Sequence, residues 1–145
     1  MNIQHLRMNE EGLNRFFGPL EAKIMNIIWS SSRVTIREVQ AALGEQHPLS
    51  FNSVMTVMNR LIEKGHLTKV SEGRGRGKTT LFMPVQTRDQ FIHAQTKRVA
   101  EGLISEFGDL VVNHMVEAME DADPSLLERL EFKLNEMKVR RTGCL

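Results

Sequence analysis

Ser50-Phe51-Asn52-Ser53-Val54-Met55-Thr56-Val57-Met58-Asn59-Arg60-Leu61-Ile62-Glu63-Lys64-Gly65 is the stretch on which the fold turns. Val54, Val57, Met58, Leu61 and Ile62 recur at i, i+3, i+4, i+7 and i+8, the spacing of one apolar helix face. Ser50 suits the N-cap, where a hydroxyl accepts from an orphaned first-turn amide, and Gly65 suits the stop. Asn52, Ser53, Thr56, Asn59, Arg60 and Glu63 fall on the other face. An ordinary solvated face favours Lys and Glu, whereas this one is short-chained over its first two turns. Such a surface fits a helix entering the major groove, where Asn can pair with adenine and Arg with guanine or phosphate. Met55 borders that face, within reach of a thymine methyl, and Ser50 at the start of the helix is also a candidate DNA contact.

Upstream, Gly18-Pro19 opens a helix with proline at the first position, where its missing N–H costs nothing. Leu20, Ile24, Ile27 and Ile28 form its apolar side, and Ser30-Ser31-Ser32 ends it. Val34 is placed to add one strand residue. Thr35-Ile36-Arg37-Glu38 is a capping box that opens a short helix with Ile36, Val39 and Leu43 inward and Gly44 as its stop. A turn containing Pro48 leads to Ser50.

Downstream of Gly65 the pattern changes to that of a hairpin. Leu67 to Glu72 and Thr79 to Met83 are short segments with β-branched or aromatic residues, flanking Gly73-Arg74-Gly75-Arg76-Gly77-Lys78. Strand alternation is weak, so the hairpin rests on the glycine loop. Three glycines let the backbone approach a phosphate chain, and Arg74, Arg76 and Lys78 supply positive charge for the backbone or a narrow minor groove. A solvated, flexible hairpin is the plain alternative. The loop lacks the Walker pattern and its strand-to-helix context.

Thr87-Arg88-Asp89-Gln90 is a second capping box, predicting a helix to about Phe107 that Gly108 breaks. Leu110 to Met119 predicts another helix, and Asp123-Pro124 starts a last one. There Leu127, Leu130, Leu134 and Met137 have the spacing of a coiled-coil seam for about a heptad and a half. This helical part is too small to bury its own stripes, which points to a partner chain. The expected fold is mostly α with a small β-hairpin: an N-terminal extension (1–17), a winged helix-turn-helix (18–86) and a helical dimerisation region (87–145). Leu103, Phe107, Leu110, Met115, Leu127, Leu130 and Leu134 are the candidates for the interface of a homodimer.

Charge is divided along the chain. From Arg60 to Arg88 seven basic residues face two acids, a net charge of +5; from Asp89 onward eleven acids face seven bases, a net charge of −4. The basic middle suits an anionic partner, and the acidic end does something else. With 145 residues and 41% hydrophobic content, the chain has the size of one domain or a small domain plus an accessory segment. No apolar run approaches a membrane span, and the polar start is unlike a secretory signal; a cytoplasmic protein without membrane insertion is expected. The single cysteine, Cys144, excludes an internal disulfide and multi-thiolate metal sites, and reads as a free thiol on a tail. The five histidines lack metal-ligand pairing, Trp29, Met25, Met58 and Met83 read as core or core edge, and no nucleophile–base or carboxylate pair stands out. No enzyme activity and no cofactor are expected.

Leu20-Glu21-Ala22-Lys23-Ile24-Met25-Asn26-Ile27-Ile28-Trp29, Val34 to Val39, and Val54 to Gly65 together resemble the BlaI/MecI/CopY repressors, over about Gly18 to Lys138. The resemblance implies a dimeric repressor on palindromic double-stranded operators, with Asn52, Ser53, Met55, Thr56, Asn59 and Arg60 reading bases or touching the backbone. Staphylococcal members have arginine where Met55 stands, a departure that bears on the operator sequence. The β-lactam-responsive members are inactivated through a membrane metalloprotease pathway by cleavage at an Asn–Phe bond. Leu110-Val111-Val112-Asn113-His114 is similar to that segment, with His114 replacing the phenylalanine, so Asn113–His114 is the corresponding bond. The paired Cys-x-Cys motifs of the copper-responsive branch have no counterpart here. The rival reading is a winged-helix module that binds protein and not DNA, for which an apolar third-helix face would be expected.

Overall fold

The computed structural model describes residues 6–143, so Cys144 lies outside the described residues. The chain divides into two compact units, Met1–Gln95 and Thr96–Leu145.

In the first unit a 3-10 turn at Gly12–Arg15 precedes α1 (Pro19–Ser31), α2 (Ile36–Leu43) and α3 (Phe51–Glu63). Thr35 and Glu38 close the capping box reciprocally: the Glu38 amide donates to Thr35 Oγ1 at 3.1 Å, and the Thr35 amide donates to Glu38 Oε1 at 3.3 Å. Gly44 ends α2 with a positive φ of 63°. The chain then forms an antiparallel hairpin of β1 (Leu67–Glu72) and β2 (Thr79–Pro84), with Leu67 opposite Pro84 and Glu72 opposite Thr79. Val34 pairs with Phe82 through two backbone hydrogen bonds, 3.0 and 2.7 Å, and so tethers the α1–α2 connection to the hairpin. Three helices followed by a hairpin tied back to them form a winged helix.

Ile24, Met25, Ile28, Val39, Val54, Met58 and Leu61 interlock at the centre, each with 1% or less of its surface exposed. Phe17 and Phe91 also join this core, stacked with centroids 4.9 Å apart. They come from segments on either side of the winged helix, where neither had been expected to serve it. Of the hairpin, only Leu67 and Phe82 are buried. The ribbon projects from the core instead of covering it, which explains the weak alternation of its sequence.

α4 (Arg88–Glu120) starts from the second capping box, in which the Gln90 amide donates to Thr87 Oγ1 and the Thr87 amide to Gln90 Oε1. The expected division near Gly108 is present: α4 consists of two helical segments joined across a kink at Phe107 (φ −133°, ψ 30°), one residue before the glycine. Phe107 itself is the residue that leaves the helical region. α5 (Pro124–Arg141) begins as expected, with Asp123 accepting from the Ser125 amide at 3.0 Å and proline in its first turn. That hydrogen bond holds the Asp123 carboxyl below its ordinary range. No described residue from Thr96 onward is buried.

Candidate nucleic-acid interface

α3 is fixed at both ends. At its start the Ser50 hydroxyl accepts from the Ser53 amide at 3.1 Å and lies 2.9 Å from Ser53 Oγ. At its end Lys64 reaches across to Glu21 of α1, with Nζ at 2.9 and 3.1 Å from the two carboxylate oxygens. Glu21 is buried whereas the Lys64 side chain is about half exposed, so the pair is asymmetric: removing Lys64 would strand the carboxylate at the edge of the core. The turn before α3 is held by Gln40, whose amide donates to the Leu49 carbonyl at 2.9 Å.

With its apolar side sealed in the core, α3 turns the opposite side outward. Asn52, Ser53, Thr56 and Arg60 are exposed, while Met55 and Asn59 are half-buried at the margin. The Thr56 hydroxyl donates back to the Asn52 carbonyl at 2.9 Å, leaving its oxygen available to accept. Ser50 is also exposed, but its hydroxyl is committed to the cap. The polar residues expected to read DNA thus share one accessible surface.

The wing brings Arg74, Arg76 and Lys78 together, all exposed, around a single 3-10 turn at Gly75–Gly77. Gly73 has φ +90°, and a Cβ built there would lie 2.6 Å from the Gly77 carbonyl oxygen. The two edges of the loop therefore close on each other only because Gly73 lacks a side chain. Glu72 at the base of the loop pairs with Arg33 of the α1–α2 connection at 2.5 Å, which anchors the wing beside the helices.

Beneath α3, His66 sits at the α3–β1 junction with 1% of its surface exposed. Its ring meets Phe17 edge-on at 4.9 Å and Phe91 at 5.6 Å. Burial, reinforced by the Lys64 ammonium and opposed by the Glu21 carboxylate, lowers its pKa to about 4. It is neutral at pH 7 and belongs to the support of the site rather than its surface. Among the described residues no cluster of His, Cys, Asp or Glu could hold a metal ion, and no helix is long and apolar enough to cross a membrane.

The residues expected at a dimer interface all belong to the second unit. Leu103, Phe107, Leu110, Met115, Leu127 and Leu134 are exposed and Leu130 is half-buried. Ile104, Val112, Val116, Phe132 and Val139 extend the exposed apolar set beyond the sequence-based selection. Asn113 and His114 are exposed in α4, with His114 Nδ1 3.9 Å from Glu117. Sequence reading also missed the contact between Arg37 and Phe51, since it joins two helices through a turn whose angle local pattern does not give.

Comparison with known proteins adds an independent line. A family model described as penicillinase repressor matches residues 17–136. Two relatives from Mycobacterium tuberculosis, strains CDC 1551 / Oshkosh and ATCC 25618 / H37Rv, are each described as transcriptional regulator BlaI. Each is 32% identical over 76 residues, 52% of this chain and 52% of the relative. The chain thus spans about half the length of the curated relatives it matches. Among solved structures, the DNA-binding domain of the repressor BlaI is similar at 23% identity and TM-score 0.41, over 55% of this chain and 90% of that one. Bacillus subtilis PadR in complex with operator DNA is similar at 11% identity and TM-score 0.45, over 88% of this chain and 77% of that one.

Proposed function

Because this chain belongs to the penicillinase repressor family, we propose that it is a homodimeric, sequence-specific DNA-binding transcriptional repressor. The observation that carries this reading is the division of α3 into a sealed apolar side and an accessible side of Asn52, Ser53, Thr56 and Arg60. α3 enters the major groove, with Met55 and Asn59 at the edge of the contact. Arg74, Arg76 and Lys78 of the wing contact the backbone or the minor groove. Residues 18–86 provide the DNA-binding part and residues 87–145 the dimerisation part. In the latter, the exposed apolar residues of α4 and α5 meet those of a second copy. Two linked copies place two recognition helices on a palindromic operator about one duplex turn apart. A protein-binding module would need an apolar outer face on α3, and that face is polar.

The reading includes release of repression through a membrane sensor protease pathway, by a cut at Asn113–His114. Both residues are exposed, but they lie within a helix, so the segment must unwind locally before a protease can take it.

The test begins with purified protein and fragmented genomic DNA: bound duplexes are selected, sequenced and used in gel-shift titrations, with light scattering to give the mass in solution. Repeated recovery of palindromic fragments and a dimeric mass are expected. Arg60→Ala should weaken binding to a selected duplex by about 1–3 kcal/mol. A stable monomer that ignores duplex DNA would refute the proposal.

A further inference from the structure

Phe51 presents an aromatic ring to solvent, 37% exposed, at the first position of α3, immediately before Asn52 and Ser53. An apolar ring is out of character on a surface otherwise built of small polar groups. Its neighbour supplies the reason. The guanidinium carbon of Arg37, from the first turn of α2, lies over the ring at 5.2 Å from its centroid. At that distance the positive charge is attracted to the ring face. Arg37 takes part in none of the ion pairs found among the described residues. The framework beneath is rigid: the Thr35–Glu38 box sets the start of α2, and Gln40 clamps the turn to α3.

We infer that Arg37 is a further DNA contact, made to a backbone phosphate beside the base pairs that α3 reads, and that Phe51 is the positioning residue that holds it there. The inference rests on the DNA-binding reading above and adds residues to it. A free arginine side chain loses rotamer entropy when it binds a phosphate. Stacking on Phe51 restricts those rotamers before binding, while leaving the N–H groups at the rim of the guanidinium free to donate. A phosphate contact carries no sequence information. The pair therefore sets how tightly and in what register α3 docks, and not which bases it prefers.

The experiment measures the salt dependence of binding for wild type, Arg37→Gln, Arg37→Lys, Phe51→Leu and the Arg37→Gln/Phe51→Leu double variant. The probes are a duplex selected from genomic DNA and an unrelated duplex of equal length, and Arg60→Ala is the control. Arg37→Gln should weaken binding to both duplexes by the same factor, roughly tenfold. It should also reduce the slope of log affinity against log salt by about 1 per protomer. Arg37→Lys should keep the slope and lose part of the affinity. Phe51→Leu should weaken binding of the wild-type arginine but cost nothing further once Arg37 is gone. An unchanged slope in Arg37→Gln, or fully additive losses in the double variant, would overturn the inference. If Arg60→Ala weakens binding while Arg37→Gln does not, only the Arg37 assignment falls. If wild type binds neither duplex, the DNA-binding reading falls with it.

Discussion

Ile24, Ile28, Val54, Met58 and Leu61 in the first unit are sealed from solvent, whereas Phe107, Leu110, Val116 and Phe132 in the second are each more than half exposed. Both sets are apolar and both recur at helical spacing. What separates them is the supply of neighbours. In the first unit three helices, both hairpin strands and the first turn of α4 converge on one interior, and full burial of a large aliphatic or aromatic side chain there contributes about 1.5–3 kcal/mol. In the second unit two helical segments cannot enclose their own stripes. An amphipathic pattern states that a face must be covered; it does not state that the same chain covers it.

The largest effect that tests this contrast comes from truncating the core. Phe17→Ala should cost about 3–5 kcal/mol in denaturant unfolding, equally at every protein concentration. Phe107→Ala should instead show its cost only where the protein is concentrated enough to pair. A concentration-independent loss of similar size in the second unit would break the comparison.

A somewhat smaller effect is expected from pH, and it belongs to the first unit alone. His66 titrates at about 4 in the fold and near 6.5 when unfolded. Between those values the unfolded chain binds more protons, so the contribution is complete above about pH 6.5 and is lost as the pH falls towards 4. Roughly 2–3 kcal/mol should disappear between pH 7 and 4.5. Urea unfolding across that range, compared with His66→Gln, isolates the contribution, and parallel curves for the two proteins would show that His66 makes none. The smallest effect concerns helix caps. Thr35→Ala should cost about 1 kcal/mol of unfolding stability, checked by thermal melts. Asp123→Ala should leave that transition alone and register only in self-association.

Local chemistry was legible in the sequence wherever a short segment decides its own conformation. Thr35 to Glu38, Ser50, Gly65 and the Asp123-Pro124 start announce their roles through side chains that bond within three residues or through backbone preference. The helical part of the candidate DNA surface was legible for the same reason, since the single helix α3 displays it. What stayed hidden depends on distant parts of the chain meeting. Phe17 and Phe91 are 74 positions apart and stack on each other, yet each alone reads as an incidental aromatic. His66 looked like any other histidine until the rings around it were in place. The Arg37–Phe51 contact needs the angle between two helices.

Gly73 has a consequence for how this protein can diverge. The loop can exchange its charged side chains freely, because positions 74, 76 and 78 project into open water. It cannot accept a methyl group at position 73, where the opposite edge already occupies that space. Descendants could therefore retune the charge of the wing by single replacements, while inheriting the bend of its loop unchanged.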